Sequence, residues 1–368
     1  MITYCTNIHA GESWHEVFAN LQTHLPAVKK AVSPDSPFPI GLRLSHAAAG
    51  EMDEKAAARL LEWCGEEGCY IPTLNGFPYG AFHGGAVKEN VYLPDWRHAE
   101  RVAYTRKLAD LLDRWLPGGV TGSISSVPVG FRKFVGPDAY GTVRDNLIQV
   151  LEHLDRLAQH SGKAILLSLE PEPGCLLETT EDFVAFIEQM GFPGHLGHYL
   201  GICFDCCHQA VEFEEATRAL AMLSRAGVRI GKVQASSALR LKAFDPGILE
   251  RFTEPCYLHQ VVVRNVEGLL TRYDDLPVAL QDHRDSRGDE WRVHFHVPVF
   301  MEETPLCGTT RFFLEDAIRC LDPQTLIEVE TYTWDVLPRE LQTETVTGSI
   351  IREMQWVKAR RDEANRRP

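Results

Sequence analysis

The chain has 368 residues, 44% hydrophobic and 24% charged, an ordinary globular composition long enough for two average domains or for one α/β barrel of about 250 residues with insertions. Lysine plus arginine number 37 against 51 aspartate plus glutamate, a formal net charge of −14, which disfavours a nucleic-acid or anionic-membrane binder because nothing offsets the phosphate repulsion. No run of about 18 apolar residues is present, so no membrane span is expected. The opening MITYCTNIHAGESW lacks the basic and apolar regions of a signal peptide, and a cytoplasmic protein is the expectation.

The first strand-like run covers 2–8, and Ser13-x-x-Glu16 is a capping-box pattern where the first helix should begin. Runs at 39–45 and 69–75 follow, with Asp53 placed to cap the helix between them. Residues 76–100, rich in glycine, proline and aromatics, read as a long loop after the third strand. Asn75, Phe77 and His83 could wall a polar pocket there, as could His9 from the first strand. The fourth run is 120–127. In 146–158 the apolar residues Leu147, Val150, Leu151, Leu154, Leu157 and Ala158 recur at helical steps. The fifth and sixth runs are 164–170 and 200–205, with Asp182 near a helix start between them; the seventh is 228–235 and the eighth 325–331. Between the last two, 236–324 exceeds a plain crossover and includes an extra strand-like run at 292–300. A helical tail with a basic end covers 348–365.

Eight strands alternating with helices predict one (β/α)8 TIM barrel over residues 1–368, with long insertions after strands three and seven and a C-terminal helix. Several of the strands are apolar almost throughout, which suits burial on both faces. A Gly-rich dinucleotide turn is missing after the first strand. The ten cysteines are scattered; Cys203-x-x-Cys206 has no second pair at zinc-site spacing, so buried structural thiols are expected.

The unusual polar residues stand at strand ends. Glu170 and Glu172 end the fifth run, Asp205 ends the sixth with His208 three residues on, and Glu328 and Glu330 close the eighth. A lone buried carboxylate costs several kcal/mol unless paired, hydrogen-bonded or bound to metal. One at a strand end usually caps a loop or forms a salt bridge. Three at matching positions point instead to a shared divalent cation. Parity does not separate Glu328 from Glu330, or Glu170 from Glu172; Glu330 lies nearer its strand end and is the candidate, and of the other pair Glu170 is. His294-Phe-His296 puts two imidazoles on one side of an extended segment, which is ligand geometry. Gln234, near the end of the seventh run, can offer its amide oxygen, and Arg240 can clamp a carboxylate or phosphate.

Together these residues resemble the sugar-phosphate isomerase/epimerase group, the xylose-isomerase-like barrels. The resemblance implies one divalent metal, hard oxygen ligands favouring Mn, Mg or Co, with Zn if two histidines join. It places Glu170, Asp205 and Glu330 on the metal, gives Glu170 and Glu330 the proton transfer, and puts His208 and Arg240 on substrate. Where that group has a metal-binding histidine on strand seven, this chain has Gln234. Either the glutamine is a weaker ligand, or His296 replaces the missing imidazole, or metal binding is lost. More narrowly, the opening Thr3–His9 stretch with Gly11-Glu-Ser-Trp14, the Lys232–Arg240 segment, the run from His294 to Phe300 and the run from Glu328 to Trp334 resemble the metabolite-traffic family EboE. That resemblance implies a secondary-metabolite pathway and a sugar-like or cyclitol substrate.

The expected function is thus a metal-dependent isomerase or epimerase moving a proton through an enediolate. His9, Asn75, His208, Gln234, Arg240 and His294 are expected to bind its small polyhydroxylated substrate. A barrel that binds a metabolite without turnover is the alternative. A nuclease of the endonuclease-IV type fits less well, given the acidic charge and few strand-end histidines. No nucleic-acid partner is expected, and an oligomer is compatible with the sequence.

Overall fold

A computed structural model describes residues 1–282 and 288–366. Eight parallel strands form the central sheet: β1 (Ile2–Tyr4), β2 (Phe38–Arg43), β3 (Cys69–Asn75), β4 (Gly122–Ser126), β5 (Ile165–Leu169), β6 (Leu200–Asp205), β7 (Arg229–Ala235) and, after the second insertion, β13 (Ile327–Val329). All eight expected strands are present. Their order, β1-β13-β7-β6-β5-β4-β3-β2, is that of a barrel opened between its first two strands. The seam is closed by an isolated bridge between Cys5 and Gly41 and by threonine hydroxyls: Thr3 Oγ1 donates to Pro39 O (2.7 Å) and accepts from Gly41 N (3.0 Å), and Thr6 Oγ1 accepts from Arg43 N (2.9 Å).

Local chemistry sets the helix starts. Ser13 and Glu16 make a reciprocal capping box at helix Trp14–Val32, Asp53 caps helix Glu54–Glu66, and Thr179 with Asp182 caps helix Thr180–Met190. The tail is the helix Val346–Asn365, docked on the barrel's outside with Met354 and Val357 buried.

Both faces of the strands are buried, but the inner face is polar rather than uniformly apolar. Outward residues such as Ile40, Leu42, Leu74, Ile124, Leu167, Ile202, Phe204, Val233 and Ile327 join the main hydrophobic core. Inward ones include Ser123 and Ser168, whose hydroxyls meet at 3.0 Å, and Lys232 and Glu328, which form a fully buried ion pair at 2.7 Å. Gly41 leaves room for that pair: a Cβ there would stand 2.0 Å from Glu328 Oε2.

The second insertion builds a sheet of its own, which the sequence did not announce beyond one strand. Its strands are β8 (Leu239–Leu241), β9 (Val261–Arg264), β10 (Leu270–Tyr273), β11 (Glu290–Val293) and β12 (Gly308–Thr309), antiparallel in the order β10-β9-β11-β8-β12. Residues 283–287 of this insertion lie outside the described residues. The expected strand over 292–300 ends at Val293; the run after it leaves the sheet, with His294, Phe295, His296, Val297 and Val299 all buried. Among the described residues no helix is long and apolar enough to cross a membrane, and all ten cysteines are free.

Candidate active site and metal centre

Parallel strands bring all their C-terminal ends to one mouth of the barrel, where barrel enzymes place their chemistry. Glu170 follows β5, Asp205 ends β6 and Glu330 follows β13. A carboxylate oxygen from each lies within 4.8 Å of the others, and all three residues are buried. Glu330 is held by two amides: its Oε1 accepts from Asn7 Nδ2 (2.8 Å) and Asn75 Nδ2 (3.2 Å). Asp205 Oδ1 accepts from Ser236 Oγ (2.8 Å) and from the backbone N–H of His208 (2.9 Å). Burial, with the neighbouring carboxylates adding to it, pushes the Glu170 and Glu330 carboxyls well above the usual range.

His296 comes from the insertion and stands beside Asp205 of this group. Its Nδ1 donates to Glu330 O at 2.8 Å, and Thr333 Oγ1 donates to the carbonyl oxygen of His296. The Nδ1 contact fixes the tautomer and leaves Nε2 as a lone pair. Burial holds this imidazole down to about 4, so it stays neutral. A ring nitrogen of His296, one of His208 and a carboxylate oxygen of Asp205 lie within 4.8 Å of one another.

Several buried atoms of this group lack any hydrogen-bond partner: Glu170 Oε2, Asp205 Oδ2, His296 Nε2 and both amide atoms of Gln234. Buried polar atoms are nearly always satisfied. Hard carboxylate oxygens with one neutral imidazole are a donor set that fits a divalent cation. Gln234 stands in register with Asp205 and Glu328 on the neighbouring strands, so its side chain points to the same side of the sheet as theirs.

Of the residues expected to bind substrate, Asn75, His208 and His294 line the cavity above this group, together with Glu170 and Glu330. Gln234 does not line it; it is fully buried on β7, in register with Asp205 and Glu328. His9 is elsewhere, stacked on His24 at 4.1 Å with Tyr4 Oη 3.3 Å from its Nε2. Arg240 is not brought there either. It lies on β8, paired through Nε and Nη2 with Glu290 (2.9 and 3.1 Å), because the insertion diverts the chain after β7 into its own sheet. The sequence alone does not point to Asn7, Tyr92, Gln260 or Tyr332, and of Glu170 and Glu172 it favours Glu170. Asn7 had a weak signal, sharing parity with Thr3 and Cys5; the others belong to loops whose path only the fold determines.

No family model matches the chain, and no curated protein does. Solved structures do. A xylose isomerase-like TIM-barrel protein from Mycobacterium smegmatis in complex with magnesium is 11% identical, with TM-score 0.56 over 99% of this chain and 97% of that one. D-allulose 3-epimerase from Methylomonas sp. is 12% identical, with TM-score 0.54 over 98% and 97%. The IOLI protein with a binding zinc atom is 13% identical, with TM-score 0.51 over 99% and 98%. The chain shares with these structures the fold of a TIM barrel.

In this barrel the two insertions meet over the mouth. Val87 N and Lys88 N donate to Cys256 O (2.8 and 2.9 Å), and Lys88 Nζ pairs with Asp275 at 2.7 Å. Phe82, Tyr257 and Tyr332 pack into a small aromatic cluster beside the cavity, and about 50 Å³ of open space is left beneath.

Proposed function

We propose that the chain is a divalent-metal-dependent isomerase or epimerase acting on a small, unphosphorylated polyhydroxylated carbonyl compound. The observation that carries this is the convergence of Glu170, Asp205 and Glu330 in one buried group whose remaining lone pairs are unclaimed. The neighbours with bound magnesium or zinc, and the 3-epimerase among them, support the same reading. A divalent ion held by Glu170, Asp205, Glu330 and His296 would supply a Lewis acid that polarises the substrate carbonyl.

The chain's own residues divide the remaining work. Asn7 and Asn75 fix one oxygen of Glu330, so that this carboxylate meets the substrate in one orientation. Glu170 and Glu330 take a proton from one face of a carbon and return it on the other, through an enediolate. His208 and His294 face the cavity and hold substrate hydroxyls. The absence of phosphate follows from the charges: Arg240 is engaged by Glu290, and Lys88, the cation at the cavity, is held by Asp275 and two carbonyls. A neutral sugar or cyclitol ketone fits the EboE-like segments, in the cytoplasm, where free cysteines persist.

The test is solvent deuterium uptake into unphosphorylated ketoses and cyclitol ketones, with Mn, Mg, Co or Zn added. Exchange by the native protein and none by Glu330→Gln, folded by circular dichroism, is the expected result. Undiminished exchange in the variant contradicts the assignment. Gln234, an amide where the resembled barrels have a metal-binding histidine, and the small cavity favour one other reading, a barrel that binds the metabolite without turnover. Ligand recovered unchanged and undeuterated would select it.

A further inference from the structure

Three segments each carry two residues able to ligate a metal: Glu170 and Glu172 after β5, Asp205 and His208 at the end of β6, His294 and His296 after β11. Glu170 and Asp205 join Glu330 in the group described above, with His296 beside Asp205. The other three, Glu172, His208 and His294, are also gathered. Each offers a ligand atom within 4.8 Å of the other two, all are buried, and all line the cavity.

Their hydrogen bonds fix which nitrogens carry protons. His208 Nδ1 lies 2.9 Å from Pro171 O, a group that only accepts, so Nδ1 is the N–H. His294 Nδ1 lies 2.6 Å from Gln260 Oε1. The Gln260 amide is oriented by its nitrogen, which donates to Pro173 O (2.9 Å) and Tyr92 Oη (2.8 Å), so His294 Nδ1 is an N–H too. In their neutral forms both rings therefore present Nε2 lone pairs, and these two atoms face each other at 3.1 Å. Tyr332 Oη, 3.4 Å from His294 Nε2, is too far to satisfy it well. Two opposed lone pairs at this distance repel unless a cation or a proton lies between them. For nitrogens 2.0–2.1 Å from one ion, such a separation corresponds to an angle of about 100°, within the range of zinc coordination.

The rest of the group is arranged as metal ligands usually are. Each imidazole is anchored through Nδ1 to an oxygen, the common second-layer contact of a ligating histidine. Glu172 spends one oxygen on Tyr92 Oη (2.8 Å) and Gln260 Nε2 (3.3 Å), and the described residues give its other oxygen no partner.

We propose that Glu172, His208 and His294 form a second divalent-cation site, nitrogen-rich and suited to zinc, in the cavity wall beside the carboxylate group. It stands on its own ligands and does not require the reaction proposed above. In the loaded protein it would occupy the place where His208 and His294 otherwise meet substrate hydroxyls directly.

Titration of the chelator-stripped full chain with Zn²⁺ by calorimetry, with metal analysis after gel filtration, tests it. Two equivalents are expected in the native protein and one in His294→Ala and in His208→Ala. Glu330→Ala is expected to keep the histidine-bound ion. A single equivalent untouched by either histidine variant, or a second equivalent that survives both, overturns the proposal and leaves a shared proton between the rings. An ion lost in His294→Ala but kept as the only one in Glu330→Ala upholds this site while refuting the carboxylate one. If the variants do not fold, Co²⁺ added to the native protein decides: one of two equivalents must bring the intense visible absorption of a nitrogen-ligated, low-coordinate ion, and its absence overturns the proposal.

Discussion

Glu328 and Glu330 are two residues apart on one strand line, point to the same side and are both buried, yet their surroundings differ. Glu328 meets Lys232 at 2.7 Å, with neither side chain exposed; this lower storey of the barrel carries its own counterion. Glu330 meets Asn7, Asn75 and two further carboxylates. Two amides orient it, but none of these groups neutralises it. A buried carboxylate with a matched lysine is a structural element. Three buried carboxylates around unclaimed lone pairs suit a bound cation, because leaving them charged and unpaired is costly.

Substitutions should separate the two storeys. The largest effect is expected at the upper one, where Glu330→Gln lowers deuterium exchange by roughly 10²–10⁴-fold, the usual worth of a positioned acid–base group. The same change relieves repulsion, so the chelated variant should unfold in urea at no lower concentration than the native protein. At the lower storey the signature reverses. Lys232→Met leaves Glu328 buried without a partner and should cost about 3–5 kcal/mol in urea unfolding, with metal binding retained. Lys232→Met combined with Glu328→Met should recover most of that loss. Mg²⁺, an oxygen-preferring ion that the nitrogen-rich site does not suit, should at 100 times its Kd add about 2.7 kcal/mol of stability to the native protein and nothing to Glu330→Ala, as thermal melts would show. Smallest, Gln234→His should tighten the ion about tenfold, about 1.4 kcal/mol, in calorimetry. Unchanged affinity would mean that His296 already fills that position.

Period and parity made much of this legible. All eight barrel strands, the Ser13–Glu16 box and the carboxylates Glu170, Asp205 and Glu330 follow from local patterns that the fold does not override. Parity alone could not separate Glu328 from Glu330, because the deciding partner, Lys232, lies 96 residues away in sequence. Long-range placement also explains the misses. Arg240 has the spacing of a substrate clamp, but β8 pairs with β11 and carries it to Glu290. His9 turns under the helix Trp14–Val32 toward His24. Glu172 looked redundant beside Glu170 until His208 and His294, from two distant segments, converged on it.

The central claim is that the upper storey holds a cation that the lower one supplies for itself. Crystals of the protein grown with Mn²⁺ and measured near the manganese absorption edge test it most directly. An anomalous peak bounded by Glu170, Asp205, His296 and Glu330, and missing in Glu330→Ala, is the predicted result. A well-ordered site with no peak between those carboxylates at saturating Mn²⁺ would contradict it.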